Sequence, residues 1–382
     1  MKKILLSTIL TLSAFAQSFE HPSLYKDPNI IARGGVDVAI GGTTASLFSN
    51  PAGLTYMKKD DFQVALLKPG VTVGSDSINF VQDLTDAADA PGGDTNATIE
   101  TNKVIKKYLG DPIHLSIDNL SSVGYANDQF SIGFGFLTST NLNFITHQGF
   151  STDGALETNV DVYTVGLLGV ASDYFSKRIF NDERLKLGAT IKIGARSNIQ
   201  QNITTREIVE NSDTLDTYIE DNYLKKGTGV GFDLGAIYEI EATGFEDISP
   251  KVGLSILNIG GFSFGEAGEI PMSVNLGASM KFESAYVKDL VAGVDYIDMF
   301  NNFKEDSDFL KRLRIGGGAT LWENSYTHLK ANGGLYQGSL SAGIELGLPL
   351  VTLGFSTYAE EIGASVGQKS DRRYTATFGI EW

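Results

Sequence analysis

The sequence predicts an all-β protein: a transmembrane antiparallel β-barrel of about 14 strands with an N-terminal hatch or plug. Three observations carry this. Apolar and small polar residues alternate over long segments. The connections between those segments alternate in length, one rim long and the other short. The chain ends on an alternating, aromatic strand, "YTATFGIEW".

The first element is an export signal. Lys2 and Lys3 precede the short apolar run Ile4 to Leu12, and Ala14-Phe15-Ala16 supplies a small-x-small cleavage site. Residues 1–16 are therefore read as a signal peptide. The chain has no cysteine, which excludes disulfides, thiol chemistry and a lipidated cysteine. A net charge of −16 without a basic run argues against nucleic acid as a partner. Forty-three glycines and twenty-two phenylalanines beside nine prolines fit a β-protein of a Gram-negative envelope, and too many aromatics are present for a disordered chain.

Residues 17–60 read as a compact hatch segment ahead of the barrel. A short helix is expected near Thr43 to Phe48, and Asn50-Pro51-Ala52-Gly53 interrupts it, because Asn before Pro favours a turn. Residues 61–382 form the barrel. Its strands are expected at 61–74, 113–126, 129–140, 157–171, 184–198, 227–242, 250–260, 272–284, 288–300, 311–321, 325–336, 338–348, 350–360 and 372–382. In the clearest of them Val230, Phe232, Leu234, Ala236 and Tyr238 oppose Gly231, Asp233, Gly235 and Glu239. With the first strand running outward, the outer connections are 75–112, 141–156, 199–226, 261–271, 301–310, 337 and 361–371, five of them longer than ten residues. Only 172–183 is that long on the inner rim. A soluble β-sandwich also alternates, but here the polar faces are rich in glycine and many strands exceed ten residues.

In the last strand Tyr374, Ala376, Phe378, Ile380 and Trp382 share a face. Paired on both sides and facing lipid, such a strand need not fray. Phe378, Ile380 and Trp382 look like the C-terminal signal that outer-membrane assembly machinery reads.

"ASLFSNPAGL", Ala45 to Leu54, resembles the NPA-containing hatch of the FadL/TodX outer-membrane transporters, with Asn50, Pro51 and Ala52 matching one for one. "GGLYQGSLSAGIELG", "STYAEEIG" and "DRRY" near the C-terminus are similar to a divergent branch labelled conjugal-transfer TraF-like. A cysteine-free chain cannot perform the thiol chemistry that label suggests. The resemblance implies a fourteen-stranded barrel in the cell outer membrane that mediates passive uptake of hydrophobic small molecules, long-chain fatty acids or hydrocarbons. The implied partners are outer-membrane lipid and lipopolysaccharide, the assembly machinery and a hydrophobic ligand, with no cofactor. A barrel serving as anchor or assembly partner in secretion or conjugation is the alternative.

Phe262 and Phe264, in an outer connection, are candidates for ligand entry, with loop packing as the plainer role. The four histidines, His21, His114, His147 and His328, lack a hydrolase or metalloprotease context and read as surface or girdle residues, so no enzyme is expected. Asp83, Asp86, Asp89 and Asp94 read as a solvated loop before a helix near Ile99 to Leu109, calcium being the lesser reading. Glu360, Glu361, Asp371, Arg372 and Arg373 are expected to form exposed ion pairs across the last hairpin.

Overall fold

The structure, a computed structural model, describes residues 20–382 except 89–90, 92–93, 148–154, 205–206, 208–213, 242–246, 305 and 325. The signal peptide expected at 1–16 lies outside the described residues, as does Asp89 of the acidic stretch. Fourteen antiparallel strands close into a barrel. They are β1 (Asp61–Leu67 and Pro69–Gly74, broken at Lys68), β2 (Pro112–Ala126), β3 (Ser131–His147), β4 (Ala155–Ser172) and β5 (Leu185–Thr204). Then follow β6 (Lys225–Glu239), β7 (Ile248–Leu257), β8 (Ser273–Phe282), β9 (Lys288–Tyr296) and β10 (Leu313–Glu323). β11 (His328–Tyr336), β12 (Ser339–Gly347), β13 (Val351–Glu361) and β14 (Ser370–Glu381) complete the ring. Both halves of β1 lie between β14 and β2, which joins the ends.

The alternation sorts side chains between lipid and lumen. On β12, Leu340 and Ile344 are exposed on the outer wall, while Ser341 and Glu345 are buried inside. On β6, Val230, Phe232 and Leu234 face out and Gly231, Asp233 and Gly235 face in. Such an apolar exterior is stable only against hydrocarbon, and closure leaves no unpaired strand edge there.

The last strand is held to its end. Trp382 donates its backbone N–H to Val64 (2.9 Å) and accepts one back (2.8 Å), while β13 pairs with the other side of β14.

The rims keep the expected parity with three connections revised. β3 and β4 run on to His147 and Ala155, so their connection shrinks to 148–154, and the last outer one shrinks to 362–369. The connection expected at 301–310 instead spans 297–312. Four long-rim connections thus exceed ten residues, against one on the short rim, 173–184.

Candidate functional site: the lumen

Residues 20–57 fold inside the barrel and touch strands around its circumference. Asp27 caps helix α1 (Pro28–Ala32) through the N–H groups of Asn29 and Ile30, and proline at the first position starts that helix. The segment then passes Gly34, where a positive φ brings the backbone against β10. A Cβ there would meet the Ile315 carbonyl oxygen at 2.2 Å. Inward polar side chains of the wall satisfy its backbone. Asp295 accepts from the N–H groups of Asp37 (2.6 Å) and Val38 (2.8 Å). Ser279 and Ser341 donate to the carbonyls of Ala39 and Ala32.

Asn50, Pro51 and Ala52 sit directly against the wall. After the short helix α2 (Ser46–Ser49), Asn50 caps a 3-10 turn (Pro51–Tyr56) by accepting from Ala52 N–H (3.1 Å). Its amide donates to the carbonyls of Val38 (2.7 Å), Ala236 (3.2 Å) and Leu254 (3.4 Å), joining the segment to β6 and β7. Two wall glycines make room. A Cβ on Gly235 would lie 1.9 Å from Asn50 Oδ1, and one on Gly188 would lie 2.4 Å from the Pro51 carbonyl carbon. The motif expected as a turn is thus also a wall anchor.

The charges grouped at the last hairpin do something other than expected. Glu360, Glu361, Asp371 and Arg373 are buried, and Glu360, Asp371 and Arg373 share the face turned to the lumen. Arg373 forks onto both carboxylate oxygens of Glu20 (3.0 Å each) and binds Asp371 (2.7 Å). Lys26 bridges Glu20 and Glu360, 2.6 Å to each. Glu361 accepts the N–H groups of Gly363, Gly367 and Lys369 and orders the loop. Instead of exposed cross-strand pairs, the cluster ties the N-terminal segment to β13 and β14. Register explains it: Glu360, Asp371 and Arg373 fall on the inward parity, where Glu360 and Arg373 meet Lys26 and Glu20, more than 300 positions away.

Three of the histidines are corrected likewise, while the side chain of His147 lies outside the described residues. His114 is buried in the lumen wall with Nδ1 2.7 Å from Asn143 Oδ1, His21 stacks edge-on to Phe303, and His328 contacts Glu345 on the inner face. Asp83 is engaged by Lys107 and Tyr108 between helices α3 (Ser75–Ala88) and α4 (Asp94–Lys107).

Phe262 and Phe264 lie in the connection anticipated, but that connection folds down into the lumen as a hairpin, 262–270. Both rings are fully buried, 4.3 Å apart, and pack with Tyr163, Leu24 and Leu47. They form core in place of an open groove. Glycines on β6 again permit the approach. A Cβ at Gly227 would meet the Phe264 carbonyl oxygen at 1.5 Å, and at Gly229 the Ser263 carbonyl oxygen at 2.1 Å.

Two cavities flank residues 21–26, whose side chains line both. One, of about 190 Å³, exposes mainly apolar surface, with Leu24, Ile31, Val38, Phe48, Leu257 and Ile270 in its lining and Asp37, Lys192, Asp295 and Arg314 also at its border. The other, of about 390 Å³, lies against β1–β5 and β14 and is mainly polar.

A closed barrel of fourteen antiparallel strands with an apolar outer face defines a transmembrane β-barrel, and residues 20–57 lie within it. No family model and no curated protein matches the chain. Solved structures do. A TodX deltaS2S3 mutant, described as a monoaromatic hydrocarbon channel, superposes with a TM-score of 0.53 at 11% identity, covering 96% of this chain and 99% of its own. The Ralstonia pickettii toluene transporter TbuX gives 0.52 at 11% identity over 95% and 98%. The Pseudomonas putida toluene transporter TodX gives 0.51 at 11% over 96% and 99%. At such identity the likeness is one of fold, and it agrees with the architecture implied by the resemblance at Asn50-Pro51-Ala52.

Proposed function

We propose that this chain is an outer-membrane channel for passive uptake of small hydrophobic molecules, with residues 20–57 as the hatch that closes it. The observation that carries the reading is the apolar cavity of about 190 Å³ bounded by the N-terminal segment. Apolar cavities near 150 Å³ hold a benzene-sized guest, so this one suits a single aromatic ring better than an extended acyl chain. The solved structures of the same fold support it, being described as toluene transporters and monoaromatic hydrocarbon channels. The apolar lining offers burial of a guest's surface at about 25 cal/mol per Å² and leaves no polar group of the guest to desolvate. Fatty acids remain the second class of ligand within this reading.

The test is uptake of labelled toluene and of a labelled long-chain fatty acid by cells with and without the gene. A drop in toluene uptake on deletion is expected. Unchanged uptake of both compounds would overturn the reading and favour the anchor or assembly role.

A further inference from the structure

The larger cavity has the opposite chemistry, and its wall is ordered. Barrel pairing sets inward side chains of β2 to β5 side by side in three rows. The first is His114, Asn143, Asn159 and Gln200; the second is Ser116, Asn141, Asp161 and Asn198. The third is Asp118, Ser139, Tyr163 and Arg196. All twelve line the cavity. Every one carries a hydrogen-bonding group, which the strand period of two places on a single face.

Hydrogen bonds within the wall fix these groups without exhausting them. Asp161 takes Arg196 (2.8 Å) and Asn198 (2.8 Å), Asn141 donates to Ser139 (3.0 Å), and His114 holds Asn143. Asn159 Oδ1 and His21 Nε2, both on this cavity, are buried without a hydrogen-bond partner among the described residues. A buried polar atom left unpaired costs about 1–3 kcal/mol, so the site favours an occupant that brings its own donors and acceptors. The lining holds five carboxylates and four lysine or arginine cations, close to balance, which favours a neutral solute over an ion. Its volume falls in the range of about 300–1,000 Å³ usual for small-molecule sites.

We propose that this amide- and hydroxyl-lined wall is a binding site for a neutral polyhydroxylated solute, a sugar or polyol. The site is separate from the apolar cavity, and residues 21–26 form the partition between them. A hydrocarbon against the same wall would leave its amides unpaired, so the two chambers select opposite chemistries.

The experiment is equilibrium binding of sucrose, trehalose and myo-inositol to the full-length protein purified in detergent, followed by calorimetry. Saturable binding of at least one probe in the millimolar range or tighter is expected. Asn141→Leu with Asn159→Leu should weaken it at least about tenfold, and Phe48→Ala, in the apolar cavity, should leave it unchanged. Gln200→Leu, at a more exposed position of the same wall, serves if the double variant fails to fold; heat-dependent gel migration reports barrel closure. Absence of saturable binding for every probe, or affinity indifferent to the folded wall variants, would overturn the proposal and leave the cavity as a vestibule filled by water.

Discussion

Asn50 shows what one residue does here. Its side chain closes four hydrogen bonds in a buried place, three to carbonyls of its own segment and the wall. Asn50→Ala removes the donor and leaves the Val38 carbonyl without it, and we expect a loss of about 2–3 kcal/mol in denaturant unfolding of residues 20–57, with strand content intact. Gly235→Ala reaches the same point from the wall, since its methyl would occupy the place of Asn50 Oδ1. The turn at Asn50-Pro51 was legible in the sequence because a proline restricts its neighbour locally. The anchor was not, because its acceptors lie some two hundred residues away. Glu20 was missed for the same reason. Burial opposes its charge, but Arg373 and Lys26 hold its carboxyl well below the usual carboxylate range. Burial pushes His21 below its ordinary 6.5, with Asp306 and Asp298 opposing. Both folded values are lowered, so each group contributes stability above its unfolded value and loses it as pH falls. Acid should therefore loosen residues 20–26 in two stages, His21 from about pH 6.5 downward and Glu20 below the carboxylate range. Lower protection factors for that segment at about pH 5 than at about pH 7, each taken relative to the intrinsic exchange rate at its own pH and lowered further by Glu20→Gln, check this.

Among elements, the strands were the most legible. Each barrel strand expected from alternation is present, because a face toward lipid and a face toward a polar lumen impose the period of two along the whole segment. Hairpin 262–270 was less so. Its sequence "FSFGEAGEI" marks a turn with aromatics, but whether such a loop stands out or folds in depends on the surface beneath it. That surface is legible in hindsight: "GTGVG" on β6 puts glycines at 227, 229 and 231 on one face, a smooth track along which another backbone can lie. Gly229→Val should expel the hairpin and expose Phe262 and Phe264, read as protease sensitivity within 262–270 while the barrel stays closed. The last strand makes a separate claim. Phe378 faces lipid on a strand bonded on both sides, and Phe378→Arg should cost up to about 2–4 kcal/mol if it lies near the bilayer midplane, and less toward the rim. Recovery of folded barrel in the membrane fraction measures that effect.

At the scale of the whole molecule, parity of connection lengths gave the barrel, and the compact segment ahead of it, broken at Asn50-Pro51, pointed to a filled lumen. The division of that lumen into an apolar and a polar chamber could not be read in advance, since it follows from how residues 20–31 cross between strands distant in sequence. Passage through such a filled barrel requires the N-terminal segment to shift, and this is the central claim. The chain has no cysteine, so a disulfide can be introduced cleanly. A Cβ on Gly277 would lie 2.7 Å from Val38 Cβ and 2.4 Å from Asp295 Oδ1, so the cross-link needs the Asp295 carboxylate to swing aside and the Cβ spacing to open to about 3.8 Å. The decisive measurement is toluene uptake by cells carrying Val38→Cys with Gly277→Cys, before and after reduction. The account predicts uptake lost in the oxidised protein and restored by reductant. Equal uptake in both states, with the cross-link verified, would contradict it.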